Sequence, residues 1–439
     1  MKKIFCVIFA AVIILSLSLT AAAVDYHCPV DSSAKAVYLE NLDTGTVVYR
    51  KADDQRMYPA STTKIMTYAI VADKVDDLDG TKITIDGELF DDLDPDSTVM
   101  GLSEHEGEAF SVRDLLYGMM LPSGNDAAMA LADYVGDGVD GFVEMMNAKA
   151  QELGCKDTHF ANPHGLFDEN HYTTARDLAA ITKYARGKAG FVDITGTVEY
   201  TPEGFEKPIK NTNYMLYNKE HAGNYFYPYT NGVKTGYLDE AGKCLVTTAE
   251  KDGFTYLCVE LGSPYTFEED INYAMLDAID FYNWAFSDLS KQTVYGPADT
   301  VKTIPVKYAD NDDQTVTAIP EKEIIALLPK DYDKSLVSVD VKCVDSVDAP
   351  VAKGDVLGTV SVRYDDLDLG STQVISAENI ARNKMKYIIS QAKEFVQTHI
   401  IILILVAVVI LALIITLIVV RSRKKRARMR EYSRRRYRE

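Results

Sequence analysis

A serine and a lysine three residues apart, Ser61 and Lys64, form the first pair of side chains that could do chemistry together. Pro59 lies just ahead of them, where proline suits the start of a helix. Residues i and i+3 share one face of a helix, so the lysine amine can lie beside the serine hydroxyl. A serine is a weak nucleophile until a base removes its proton, and a lysine can be that base if burial or a nearby cation lowers its pKa. The spacing therefore predicts an activated serine nucleophile.

A second polar group, Ser123-Gly124-Asn125, falls in a predicted turn between two helices. The hydroxyl of Ser123 could relay a proton to a leaving amine. The side-chain amide of Asn125 could hold both Lys64 and an amide of the substrate. We therefore interpret this turn as the proton-relay part of the same site.

The third group, Lys234-Thr235-Gly236, begins a predicted strand. Lys234 by its charge and Thr235 by a hydrogen bond suit a substrate carboxylate. Gly236 has no side chain, which would let an extended peptide approach the strand and pair with its edge. Each group alone is common by chance, but their joint occurrence, in this order on a helix, a loop and a strand, predicts an acyl-transfer site.

Positioning these groups requires both strands and helices. Turn residues and period-two apolar patterns predict strands at residues 36–40, 46–50, 236–237, 244–248 and 255–260. Capping residues and apolar spacing predict a helix from about Ser61, one at 112–121 with Ser111 as its N-cap, and others at 125–135 and 270–286. The mixture predicts an α+β fold.

The three groups are those of penicillin-binding proteins and class A β-lactamases. Further stretches extend the resemblance, namely LLYGMMLPSGNDAAMALA at 115–132, FANPHGLFDENHYTTARDL at 160–178 and Asn211-Thr212-Asn213. Over residues 30–285 the chain resembles the low-molecular-weight penicillin-binding proteins, which are serine-type D-alanyl-D-alanine carboxypeptidases. The resemblance implies a penicillin-recognising, serine transpeptidase/β-lactamase-like catalytic domain, followed by a small all-β domain and a C-terminal transmembrane helix.

The resemblance also assigns expected roles. Ser61 is expected to be the acylated nucleophile and Lys64 its base, with Ser123 and Asn125 as the second pair. Lys234, with Thr235 and Gly236, is expected to bind the substrate carboxylate. The backbone N–H groups of Ser61 and Tyr237 are expected to form the oxyanion hole. The expected partners are a peptidoglycan stem peptide ending in D-Ala-D-Ala and β-lactam antibiotics as covalent inhibitors. The family often has a threonine where this chain has Leu238, which leaves the substrate preference open.

Three other functions remain open from the residues alone. A class A β-lactamase shares the three groups, but no ExxLN pattern stands between the second and third of them here. An endopeptidase that cuts peptidoglycan cross-links would use the same chemistry. A non-catalytic cell-wall-binding protein could keep the fold, although Ser61, Lys64 and Lys234 are all present.

Both ends of the chain carry membrane signals. Lys2 and Lys3, an apolar run and Ala21-Ala22-Ala23 predict a signal peptide over residues 1–23. Residues 399–420 are predicted to be a transmembrane helix, since 400–420 are apolar and uncharged. The basic tail, 421–439, would stay in the cytoplasm, which places the rest of this single-pass protein of the cell membrane outside. Between the signals we expect a catalytic domain at 24–290, a small β domain at 296–377 and a helical linker at 378–398.

Charge and cysteine usage narrow the class further. The net charge is −19 although the tail is basic, and such an acidic body argues against nucleic acid as a partner. No CxxC or Cys/His cluster occurs, and His159, His164 and His171 fit no metal-binding spacing, so we expect structural histidines and neither a metal nor a cofactor. Cys244 and Cys258 lie on neighbouring predicted strands and could pair if the register allows.

Overall fold

The computed structural model describes residues 26–91, 93–94, 97–265 and 271–436, so the predicted signal peptide lies outside the described residues. The α-helices of the described residues are α1 Lys64–Lys74, α2 Val112–Met120, α3 Asn125–Gly136, α4 Val139–Glu152, α5 Ala175–Arg186, α6 Phe191–Gly196, α7 Lys219–Ala222, α8 Tyr273–Asp288 and α9 Lys384–Arg436. The strands are β1 Ala36–Asn41, β2 Thr46–Lys51, β3 Lys82–Thr84, β4 Ala109–Ser111, β5 Glu199–Tyr200, β6 Ile209–Lys210, β7 Thr230–Leu238, β8 Gly242–Lys251, β9 Phe254–Ser263, β10 Leu289–Tyr295, β11 Lys302–Lys307, β12 Thr315–Pro320, β13 Ile324–Pro329, β14 Val337–Cys343, β15 Val347–Asp348, β16 Val356–Tyr364 and β17 Leu367–Ser376.

The chain forms two compact units, and the first contains the described residues up to Gln292 together with 325–337 and 364–368. Its centre is a five-stranded sheet in the order β2-β1-β9-β8-β7, in which neighbouring strands run antiparallel. Strand β7, which carries the third polar group, is an edge strand of this sheet. An edge strand offers unpaired backbone groups to an extended peptide, as the sequence led us to expect.

Both faces of this sheet are buried because its strands carry apolar side chains on alternate sides. Ala36 and Tyr38 of β1 pack into the core that contains α1 to α5. Val37 and Leu39, which point the other way, pack against α8. Each fully buried aliphatic side chain contributes about 1.5–3 kcal/mol, so the two cores hold the helices firmly on the sheet.

Local capping sets the start of α2 as predicted, since Ser111 Oγ accepts a hydrogen bond from the N–H of Asp114 at 3.0 Å. A tertiary contact sets the start of α3. The carboxylate of Asp126 accepts hydrogen bonds from the backbone N–H groups of Met100, Gly101, Leu102 and Ala127 at 2.7–2.9 Å. These bonds fasten the preceding loop to the turn that carries the second polar group.

The second unit comprises residues 293–324, 338–363 and the described residues from 369 onward. Its main element is a six-stranded sheet in the order β14-β16-β17-β12-β11-β15. Strands β11 to β17 lie within the region where period-two patterning predicts β structure. In β16 the buried positions are Leu357, Val360, Val362 and Tyr364, whereas Val356 is exposed. The change of side between Leu357 and Val360 is a local irregularity that strict alternation does not reveal.

Helix α9 runs without interruption from Lys384 to Arg436 and contains residues 384–398 of the predicted linker and the whole predicted transmembrane segment. It begins six residues later than the helical linker predicted from residue 378. By length and composition it is the described helix that could cross a membrane. This agrees with membrane anchoring of the chain.

Candidate active site

The nucleophile turn, Ala60–Thr63, is a short 3₁₀ segment that leads directly into α1. Lys64 is the first residue of α1 and is fully buried. Its Nζ lies 3.1 Å from Ser61 Oγ, 2.6 Å from Asn125 Oδ1 and 2.8 Å from the carbonyl oxygen of His164. The expected serine–lysine pair is therefore formed, with Asn125 beside it.

The surroundings of Lys64 favour its neutral form. Burial, followed by the charge of Lys234, lowers the pKa of Lys64 well below its usual value, and Asp126 opposes this only in part. A neutral amine has two hydrogens and one lone pair. The two carbonyl-type oxygens, Asn125 Oδ1 and His164 O, accept its hydrogens, which leaves the lone pair for the hydroxyl of Ser61. This is the arrangement that a general base requires.

Ser123 occupies the turn before α3 with a left-handed φ of 71°. Thr98 Oγ1 donates a 2.8 Å hydrogen bond to its carbonyl oxygen, which holds the turn in place. Its own Oγ is buried and has no hydrogen-bond partner among the described residues. A buried hydroxyl without a partner costs about 1–3 kcal/mol, so this position does not serve the stability of the fold.

Lys234 lies in β7 and is 1% exposed, and its Nζ donates a 2.9 Å hydrogen bond to the carbonyl oxygen of Thr235. Burial lowers the pKa of Lys234 to about 7. The hydroxyl of Thr235 lies 2.5 Å from that of Thr212, in the Asn-Thr-Asn stretch. A lysine and a pair of hydroxyls on neighbouring residues are groups suited to a carboxylate ligand.

Gly236 lies where the nucleophile turn packs closely against β7. A Cβ at this position would lie 3.0 Å from both Ser61 N and the Cβ of Ala60, and 3.2 Å from the carbonyl oxygen of Pro59. Glycine therefore lets the nucleophile turn approach the strand closely, and Gly236 also lines the cleft in which a substrate could approach it. The same closeness brings Ser61 N next to the strand that contains Tyr237, in keeping with the expected oxyanion hole.

A cleft of about 490 Å³ joins the three polar groups. Lys64 and Lys234 lie buried beneath it rather than on its surface. Leu238, the departure from the family pattern, is part of its wall and replaces a hydroxyl there with an apolar surface. Of the predicted site residues, those that line the cleft are Ser61, Ser123, Asn125, Thr235, Gly236 and Tyr237.

The loop at residues 160–171 contributes to the site, although no site residue was predicted in it. We expected its histidines to be structural, and the backbone carbonyl of His164 is one of the three contacts of Lys64 Nζ. Asn162 holds this loop, because its Oδ1 accepts from Gly165 N at 2.7 Å and its Nδ2 donates to Leu166 O at 3.0 Å. The Asn-Pro-His-Gly sequence signals a turn, but no side-chain pattern could reveal a carbonyl acceptor.

Cys244 and Cys258 do lie on neighbouring strands, β8 and β9, but they do not pair. The register places Cys258 opposite Thr247, and the two thiols point into the cores on opposite faces of the sheet. Both are buried free thiols. Burial raises the pKa of Cys244 to about 11, so it is an unreactive core residue.

A helix-covered antiparallel sheet, with a serine and a buried lysine at the start of a central helix, defines the class of penicillin-recognising serine enzymes. Comparison with known families agrees. Residues 22–264 match the D-alanyl-D-alanine carboxypeptidase family, and residues 289–382 match the C-terminal domain of penicillin-binding protein 5. The chain therefore belongs to the D-alanyl-D-alanine carboxypeptidase family, which confirms the predicted resemblance and fold class.

Individual relatives extend this similarity over most of the chain. The D-alanyl-D-alanine carboxypeptidase DacF of Bacillus subtilis (strain 168) is 33% identical over 355 residues, which cover 80% of this chain and 86% of the relative. The crystal structure of penicillin-binding protein 5 from Haemophilus influenzae matches with a TM-score of 0.60 and 28% identity, over 80% of this chain and 98% of that one. The Streptomyces K15 DD-transpeptidase matches with a TM-score of 0.51 and 33% identity, over 58% of this chain and 98% of that one.

Proposed function

We propose that this protein is a D-alanyl-D-alanine carboxypeptidase that removes the terminal D-alanine from peptidoglycan stem peptides through an acyl-enzyme on Ser61. The terminal carboxylate binds Lys234 and Thr235, while the scissile carbonyl oxygen faces the backbone N–H groups of Ser61 and Tyr237. This pose would align the peptide with the edge of β7.

Acylation begins when Ser61 Oγ attacks the carbonyl carbon and its proton moves to the neutral amine of Lys64. The peptide C–N bond then breaks, and the leaving amine takes a proton through the hydroxyl of Ser123, so that free D-alanine departs. Water next attacks the ester carbon and gives a proton to Lys64. The ester C–O bond breaks and Ser61 recovers its hydroxyl. A β-lactam would acylate the same serine, because its ring amide takes the place of the scissile bond.

The observation that carries the proposal is the environment of Lys64. Its amine is fully buried, its contact with Ser61 Oγ is 3.1 Å, and its other two contacts are oxygens that can only accept. A lysine that served merely as a structural cation would be stabilised by a carboxylate at hydrogen-bond distance, and none of its three contacts is one.

The test is release of D-alanine from a diacyl-Lys-D-Ala-D-Ala peptide by the full chain in detergent, with Ser61→Ala measured in parallel. We expect release by the wild type alone, and a single penicilloyl adduct in its intact mass after exposure to penicillin. An adduct without D-alanine release would instead indicate an endopeptidase that acts on cross-linked muropeptides. Rapid loss of the adduct would favour a β-lactamase, and an unchanged mass at saturating penicillin would leave only a non-catalytic binding role.

The membrane signals add a proposed arrangement. Residues 1–23 would direct export and be removed after Ala23, residues 399–420 would span the membrane, and the tail at 421–439 would stay in the cytoplasm. Protease added to intact protoplasts should then digest the catalytic domain and spare the tail. Survival of the catalytic domain, with digestion only after lysis, would contradict this arrangement.

A further inference from the structure

A chain of buried hydrogen bonds connects the loop at residues 160–171 to the nucleophile turn. His171 is 2% exposed, and its Nε2 lies 2.8 Å from the hydroxyl oxygen of Thr63. That hydroxyl donates to the carbonyl oxygen of Ala60 at 2.8 Å. The other ring nitrogen of His171, Nδ1, accepts from the backbone N–H of Ala161 at 3.1 Å. The chain therefore ends on the residue immediately before Ser61.

The direction of each bond follows from what its partners can do. The N–H of Ala161 can only donate, so Nδ1 of His171 carries no proton. Burial lowers the pKa of His171 to about 4, so its ring is neutral at pH 7 and the single proton is on Nε2. Nε2 must then donate to Thr63 Oγ1, which in turn must donate its own proton to the carbonyl oxygen of Ala60. Each group has one possible role.

The Ala60 carbonyl is fixed from a second side as well. Gly165, with φ of 94°, packs so closely that a Cβ there would lie 1.9 Å from that oxygen. Ala60 itself has a left-handed φ of 48°, which is uncommon for alanine and costs of order 1–3 kcal/mol. The turn therefore needs external contacts to keep this conformation, and the Thr63 hydroxyl supplies one of them.

The fixed carbonyl matters because it shares a peptide plane with the N–H of Ser61. In a planar trans peptide the C=O and N–H point in opposite directions. A carbonyl that points toward Thr63 turns the Ser61 N–H away from it, and Ser61 N lies on the side of strand β7, 3.0 Å from the position of a Cβ on Gly236. That N–H is the oxyanion-hole donor of the proposed mechanism.

We propose that His171 is a positioning residue of the active site, which acts through the hydroxyl of Thr63 to hold the Ala60–Ser61 peptide so that its N–H faces the developing oxyanion. This inference rests on the proposed function, because its test measures acylation of Ser61. Without the relay the peptide plane can rotate, which would weaken a donor that contributes to the transition state and not to the ground state. The rate of acylation should therefore fall while the preceding non-covalent binding of the β-lactam stays unchanged.

Two substitutions of His171 separate this role from a purely structural one. The Asn side chain in His171→Asn has an oxygen near the position of Nδ1, which can accept from Ala161 N–H, but it cannot reach Thr63. The Gln side chain in His171→Gln has a donor near the position of Nε2, which can reach Thr63. A positioning role predicts that His171→Asn acylates about 10- to 100-fold more slowly than the wild type and that His171→Gln recovers most of the rate. A role confined to holding the loop predicts the reverse order.

The experiment measures acylation of the full chain in detergent by a fluorescent penicillin, resolved into the non-covalent dissociation constant and the acylation rate constant. Thr63→Val removes only the relay hydroxyl and should be as slow as His171→Asn, whereas Thr63→Ser keeps the hydroxyl and should be faster. His159→Asn changes an exposed histidine of the same loop and should match the wild type. Melting temperatures verify that each variant is folded.

Thr63→Val carries the test if the His171 variants do not fold. An acylation rate within about threefold of the wild type in Thr63→Val or His171→Asn, or a slower rate in His171→Gln than in His171→Asn, would overturn the inference. A wild type that is not acylated at all would instead refute the proposed function. The two failures are therefore distinguishable.

Discussion

The pKa of Lys234 makes a quantitative prediction about how the enzyme depends on pH. Burial lowers this pKa to about 7, so the ammonium that would bind the substrate carboxylate loses its proton close to neutral pH. For a group with a pKa of about 7, the charged fraction falls from about 90% at pH 6 to about 10% at pH 8. Because kcat/KM reports the free enzyme, it should decline about tenfold over this interval.

The opposite limb of the profile comes from Lys64, which must be neutral to accept the proton of Ser61. Burial and the charge of Lys234 lower the pKa of Lys64, so kcat/KM should rise with pH below the maximum and fall above it. The assay is D-alanine release from the diacyl-Lys-D-Ala-D-Ala peptide between pH 5.5 and 9, with kcat and KM determined separately. We expect kcat/KM to decline at high pH because KM rises while kcat stays level. The reason is that a bound carboxylate stabilises the charged form of Lys234.

A substrate without the carboxylate provides the control. The same peptide with a C-terminal amide gains nothing from a charged Lys234, so its kcat/KM should be low throughout and should lack the decline above pH 7. If kcat/KM for the acid substrate stays level or keeps rising from pH 7 to 9, Lys234 is not the titrating carboxylate partner. A decline of equal size with the amide would show that the titration acts on another step.

Two substitutions test how the site is held together. Gly236→Ala places a Cβ 3.0 Å from Ser61 N and should displace the nucleophile turn. We expect penicillin acylation to slow about 100-fold and the free energy of unfolding to fall by about 1–3 kcal/mol. Acylation at the wild-type rate would show that the turn can move at no cost. Asp126→Asn replaces one acceptor oxygen for backbone N–H groups by a donor. This should lower the free energy of unfolding by about 3 kcal/mol, and it should slow acylation because the turn that carries Ser123 is no longer held. An unchanged melting temperature would contradict this account.

The parts of the site that depend on local rules could be predicted from the sequence. The three-residue spacing of Ser61 and Lys64 predicts their contact because helix geometry is the same wherever a helix forms. Ser111 predicts the start of α2 for the same reason, since a cap acts within one turn. These features need no knowledge of the rest of the fold.

Features that depend on distant segments could not be predicted. The carbonyl of His164 meets Lys64 across 100 positions of sequence, and a backbone acceptor leaves no trace in residue type. The close approach of the nucleophile turn to Gly236 was not predicted, because only the folded chain brings that turn against β7. The separation of Cys244 and Cys258 likewise depends on register, which alternation within each strand does not specify.

The groups proposed to do chemistry are also those that weaken the fold. Between pH 7 and its usual pKa of 10.5, Lys234 binds fewer protons in the folded than in the unfolded protein. Its contribution to stability is therefore fully present only above that range. It declines by about 1.4 kcal/mol per pH unit as the pH falls toward 7. The unpartnered hydroxyl of Ser123 and its left-handed φ also lower the stability of the folded protein. These residues lie on segments that are fixed by contacts outside the cleft. The contacts are the two apolar clusters, the hydrogen bonds of the Asp126 carboxylate and the hydrogen-bond chain from His171 to Thr63. The rigid scaffold therefore offsets the strain of a cleft in which two lysines stay buried, and in the proposed function a substrate carboxylate would relieve part of that strain by pairing with Lys234.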